Sequence, residues 1–251
     1  SLGPSKILPV FPAQRRLSQR ALSAIQPVIL TFRRGRNTLA QMRFGFDIRP
    51  FLREETGVEV YFKTLLFSLS RLDKENEYFL FSSSLKDRFD RGKIPPFSRL
   101  HFRDFRIPVR VVNFFWNRLG WPGLDRFFGN PLDLTHSPTP LPIPTRGKKV
   151  VTVYDLFFMD FPRQADREAR KVFSRRIMSS LPRADRIVTI SDFTRDQILD
   201  RFRVNPARVH TIYLGLDHEF RAVSDEGGLR DVSRRFRLPR SFLLFVGALE
   251  K

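Results

Sequence analysis

Arg43-Phe44-Gly45-Phe46-Asp47-Ile48, then Gly57-Val58-Glu59-Val60-Tyr61-Phe62, then Tyr78-Phe79-Leu80-Phe81 make up the stretch on which the fold turns. In the first segment Phe44, Phe46 and Ile48 alternate, the period of a strand with one face packed. From Gly57 the period changes. Val58, Phe62, Leu65, Leu69 and Leu72 recur at steps of three and four, which predicts a helix lying on a sheet. Tyr78–Phe81 returns to a strand. The polar run Arg49–Thr56 between the first strand and the helix reads as a loop.

The same alternation runs downstream. Strands are expected at Leu100–Phe105, Leu132–His136, Lys149–Tyr154, Arg186–Ile190 and Val209–Tyr213, and helices at Asp166–Leu181 and Asp192–Phe202, the latter capped by Ser191. Residues 106–130 give no clear period, because two Trp, several Phe and the breaks at Gly120, Pro122 and Gly123 interrupt it. Strands alternating with helices predict an α/β fold, a parallel sheet with helices on both faces. Loops after the strands then share one edge, where ligands bind in such sheets. Those loops start at Arg49, His136, Tyr154, Ser191 and Leu214.

Composition sets the outer bounds. The chain has 251 residues, 41% apolar and 28% charged, enough for a core and not the signature of disorder. It contains no cysteine, which excludes disulfide frameworks, thiolate metal sites and cysteine nucleophiles. The four histidines, His101, His136, His210 and His218, lie on separate elements, so no spaced metal-ligand cluster is expected. No apolar run approaches the ~20 residues of a membrane span. There is no G-x-G-x-x-G, Walker or Gly-x-Ser-x-Gly pattern.

The net charge of +19 implies attraction to polyanions without choosing among them. Residues 1–41 carry Lys6, Arg15, Arg16, Arg20, Arg33, Arg34 and Arg36 and no acid. Two readings stand for this leader: an organellar transit peptide, or translated sequence upstream of the native start, since Met42 directly precedes the first strand. The stretch Arg88–Arg126 is basic and aromatic. Either its aromatics are core and its arginines a solvated face, or it rests on an anionic membrane surface. No RNA-binding module is visible in it.

Eight segments in one order resemble the N-terminal half of the group 1 (family 4) retaining glycosyltransferases of GT-B fold. They are Arg43–Pro50, Thr56–Tyr61, Asn76–Phe81, Thr135–Pro138, Val151–Leu156, Arg183–Thr194, Gly215–Asp217 and Phe245–Glu250. The resemblance spans Met42 to Lys251 and implies a Rossmann-like sheet. It implies transfer of a sugar from a nucleotide-diphosphate sugar to a glycan or lipid-linked acceptor with retention, as in polysaccharide or lipopolysaccharide synthesis. It implies neither metal nor cofactor, and a cytoplasmic place, in contact with the inner face of the membrane if the basic stretch binds it.

The resemblance also assigns residues. Gly57 opens a helix, and the backbone N–H groups of Val58, Glu59 and Val60 form an anion site facing diphosphate and acceptor; the alternative is a plain loop-to-helix glycine. Tyr154 and Asp155, ending a strand, are candidates for contact with the reacting centre. Many relatives carry His where Tyr154 stands, and a phenol is a weak base near pH 7; Asp155 otherwise caps the next turn. His136 and Ser137 end another strand and would contact acceptor hydroxyls unless structural. Ser191 is a helix cap that could also touch ligand.

The domain expectation is a leader over 1–41, an acceptor domain over 42–220, a linker with a helix at Leu229–Phe236 over 221–240, and, over 241–251, the first strand of a donor-binding domain. Phe242-Leu243-Leu244-Phe245-Val246 is apolar on both faces, and leaving it uncovered forgoes on the order of 10 kcal/mol of burial. On that expectation these residues alone do not turn over donor. The competing reading is a non-catalytic basic module on membrane or nucleic acid, separated from the enzyme by salt-sensitive binding to vesicles or RNA.

Overall fold

The computed structural model describes residues 41–52, 57–161, 177–215 and 223–245. The chain divides into two compact units at Gly215–Leu216.

The first unit holds one seven-stranded sheet: β1 (Arg43–Asp47), β2 (Glu77–Ser83), β3 (Leu100–Phe105), β4 (Leu134–Ser137), β5 (Lys148–Val153), β6 (Arg186–Thr189) and β7 (Val209–Thr211). The strand order is β3-β2-β1-β4-β5-β6-β7 and every pairing is parallel. From β1 the chain builds outward through β2 and β3, then returns to the other side of β1 with β4. The crevice beyond the ends of β1 and β4 is therefore the switch point of the sheet.

The helices of this unit described from end to end are α1 (Gly57–Leu72), α2 (Val109–Phe114, running on as a π turn through Phe115–Leu119), α3 (Leu124–Phe128), α4 (Phe157–Asp160) and α5 (Asp192–Arg201). Period-2 alternation divides the sheet's residues between them. Phe44, Phe46, Tyr78, Leu80, Leu134, Val150 and Val188 face α1 and pack with its Phe62 and Leu66. The opposite face is covered in two places. Phe79 and Phe81 meet Val112 and Trp116 of α2 with Leu124 and Phe128 of α3. Val151, Val153 and Ile187 meet Ile177, Leu181 and Ile198. Gly45 makes one of these approaches possible, since a Cβ there would stand 2.7 Å from Leu132 Cδ1 and 2.8 Å from Leu124 Cδ2.

Some boundaries differ from expectation. In α1 the buried line is Glu59, Phe62, Leu66 and Ser70, with Leu65 and Leu69 flanking it and Leu72 exposed. Leu72 ends the helix, so the contact line follows the steps centred on Phe62 and Leu66 instead of the leucine spacing. Of the helix expected at Asp166–Leu181, residues 162–176 lie outside the described residues, while 177–180 are helical. Arg49–Leu52, read as loop, is a 3-10 turn.

In the second unit α6 (Glu226–Arg235) begins before the expected Leu229, because Asp225 caps it, its carboxylate oxygens accepting the N–H groups of Gly227 and Gly228 at 3.0 Å each. The two glycines thus form the first turn. No residue of α6 is buried. Phe242–Phe245, read as part of a strand, forms none: strands exist by pairing, and the described residues of this unit offer only a helix. Its side chains are exposed, Leu243 completely.

Candidate functional site

The ends of β4 and β5 place His136 and Thr152 side by side on the face covered by α1, because His136 pairs with Val150 and Thr152 is two residues on. His136 Nε2 lies 2.9 Å from Thr152 Oγ1, and its ring packs against Phe46 and Phe62 at 6.0 and 5.7 Å. Burial pushes its imidazole down to about 4, since charging it would strip a cation of water among phenyl rings.

Thr152 also hydrogen-bonds the hydroxyl of Tyr61, which α1 brings to the same spot. Burial raises the Tyr61 phenol despite that bond. Tyr61 meets Tyr154 edge to face at 5.5 Å. The Tyr154 hydroxyl is buried and has no hydrogen-bond partner among the described residues. Burial, then the neighbouring Tyr61, drives its pKa upward. His136, Thr152, Tyr61 and Tyr154 therefore form one uncharged polar cluster at neutral pH, with a donor to spare at Tyr154.

Ser191 joins this cluster at second hand. Its hydroxyl caps α5 by accepting the Thr194 N–H at 3.2 Å, and the Thr194 hydroxyl donates to the backbone carbonyl of Tyr154 at 3.0 Å. The cap thus fixes the loop that carries Tyr154. Asp155, next along, is exposed, and its carboxylate accepts the Phe157 N–H at 3.0 Å, the turn-capping role. Ser137 points to the opposite face from His136, as alternation requires. It is buried and closes its own loop, accepting the Thr139 N–H at 3.2 Å.

Gly57 is exposed at the start of α1, and nothing lies within 4 Å of where a Cβ would stand. Its conformation and packing would accept a side chain, which leaves room for a close approach as the use of a glycine here. The first-turn N–H groups of a helix lack intrahelical acceptors. The Glu59 side chain is buried. So the structure brings His136, Tyr154 and the first turns of α1 and α5 to one stretch of the sheet edge, and turns Ser137 away from it.

Sequence reasoning missed Tyr61 and Thr152 as the links, and Arg49 as a second feature. Arg49 follows β1 at the switch point and grips Asp47 with two nitrogens, Nε at 2.9 Å and Nη2 at 2.6 Å. Its guanidinium lies over Trp116 at 4.8 Å. Nη1 is buried with no partner among the described residues. The i, i+2 spacing of Asp47 and Arg49, on one face of an extended chain, was the available signal. Among the described residues no group of three or more His, Asp or Glu is placed to hold a metal ion.

Residues 56–220 match the family model of Glycosyltransferase Family 4. The chain belongs to glycosyltransferase family 4. No curated protein matches it. The family 4 match takes in every residue of the polar cluster, Tyr61, His136, Thr152 and Tyr154, as well as Gly57 and Ser191; Asp47 and Arg49 lie before it. A family 4 domain supports a glycosyltransferase type of enzyme on a Rossmann-like α/β sheet. Among the described residues no helix is long and apolar enough to cross a membrane.

Proposed function

We propose that this chain supplies the acceptor side of a glycosyltransferase that moves a hexose from a nucleotide-diphosphate sugar to a glycan or lipid-linked acceptor with retention. The observation that carries the reading is the uncharged cluster of His136, Thr152, Tyr61 and Tyr154 at the sheet edge of a family 4 domain. A sugar ring offers neutral hydroxyls, and a dry site with an unused phenol donor suits them better than it suits an anion.

In this reading Tyr154 turns its hydroxyl out of its buried position to donate to a sugar oxygen, pivoting on the edge-to-face contact with Tyr61. The first-turn N–H groups after Gly57 lie beside the donor diphosphate, stabilising charge as the glycosidic bond to the leaving group breaks. Asp155 contributes through the turn it caps. No metal or cofactor is required. The first unit holds the acceptor in this reading, and the donor nucleotide is gripped mainly by a donor-binding lobe.

The test is acceptor binding by calorimetry. Acceptor binding that weakens about fivefold in Tyr154→Phe supports the reading, at about 1 kcal/mol for a lost hydrogen bond. Binding indifferent to Tyr154 contradicts it.

A further inference from the structure

The stretch that resisted assignment from sequence separates into two faces. Val112 and Trp116 turn inward, Trp116 to within 5.3 Å of Phe81, and its indole N–H donates to the Pro122 carbonyl at 3.0 Å. Val111, Phe114 and Leu119 turn outward with Trp121 just beyond, at exposures of 41%, 57%, 60% and 53%. Arg106, Arg110 and Arg118 are exposed among them, and the Arg126 guanidinium lies 5.8 Å from the Trp121 ring. No acidic residue occurs between Phe105 and Gly123. The flanking acids are occupied elsewhere: Asp104 accepts the Phe89 N–H, and Asp125 those of Leu132 and Arg146.

We propose that the outward face of α2 and its π turn, Val111, Phe114, Leu119 and Trp121 with Arg110 and Arg118, is a docking surface for an anionic lipid bilayer. Four large apolar side chains gathered on one exposed face are not what a solvated helix presents. Arginines interspersed with them complement acidic headgroups, while the apolar tips enter the headgroup–acyl boundary and Trp121 sits at the depth that tryptophan favours. A nucleic acid would use the arginines but gain nothing from exposed valine and leucine, so the lipid surface is the better fit. The proposal is independent of the sugar-binding reading.

Tryptophan fluorescence tests it directly, because of the two tryptophans Trp116 is buried and Trp121 exposed. Vesicles of phosphatidylglycerol and phosphatidylcholine should shift the emission of the 251-residue chain to the blue, and vesicles of phosphatidylcholine alone should not. Trp121→Phe should abolish the shift while co-sedimentation persists. Arg110→Gln with Arg118→Gln should weaken co-sedimentation by about 30-fold, at ~1 kcal/mol for each basic residue near an anionic surface. Phe114→Ser with Leu119→Ser should weaken it with little change in its salt dependence. Circular dichroism of each variant should match the parent. Vesicle binding that ignores both pairs of substitutions assigns it to another basic segment and overturns the proposal. So does failure to bind, or loss of binding to an RNA oligonucleotide with vesicle binding intact.

Discussion

Replacing His136 with asparagine should flatten one part of the protein's stability–pH curve. The folded protein holds this imidazole at about 4, against an ordinary value of 6.5, because the ring lies against Phe46 and Phe62 with Nε2 bonded to Thr152. The unfolded chain therefore binds a proton through this histidine as pH falls below 6.5, and the folded protein does not until about 4. Stability from this group is complete above 6.5 and is lost progressively between 6.5 and 4. Linkage sets the loss at about 2 kcal/mol at pH 5 and about 3 kcal/mol at pH 4. Urea unfolding of parent and His136→Asn at pH 7.5 and 5 measures it. The parent should lose about 2 kcal/mol more than the variant across that interval, whatever constant offset the substitution adds. The imidazole resonances of His136 should also not titrate above pH 5. A midpoint near 6.5 would refute the reasoning, and with it the picture of an uncharged cluster.

Three other substitutions separate structure from function. Tyr154→Phe removes a hydroxyl with no partner among the described residues, so urea unfolding should change by less than about 0.5 kcal/mol even as sugar binding weakens. Ser191→Ala removes the α5 cap, which should cost about 1 kcal/mol and speed hydrogen exchange of the Thr194 amide. Gly147→Ala would set a Cβ 2.2 Å from the Leu132 carbonyl oxygen and 2.5 Å from that of Asp133; since backbone must move, a loss of about 3 kcal/mol or more is expected in thermal melts.

The sheet was legible because its strands announce themselves. Leu100–Phe105 falls where the alternation put it, and Val150-Val151-Thr152-Val153 lies within β5. The helices were legible where one stripe dominates, as in α1, though flanking leucines disguised which line is buried. Residues 106–130 were not, because the π turn at Phe115–Leu119 breaks the 3.6-residue period and aromatics point both inward and outward. In the candidate site, His136 and Tyr154 could be named because both end strands on one edge. Their connection could not: Tyr61 reaches Thr152 from 91 positions away in the chain, a contact made by sheet order and helix placement together.

The central claim is that neutral sugar is held at the edge where β4 and β5 end, and backbone-amide NMR of the chain with unlabelled neutral oligosaccharides tests it most directly. Shifts should gather at residues 57–61, 136, 152–155 and 191–194, saturate with sugar concentration, and fade in Tyr154→Phe. Shifts confined to residues 106–126, or none at any sugar concentration while RNA or anionic vesicles bind, would contradict the account.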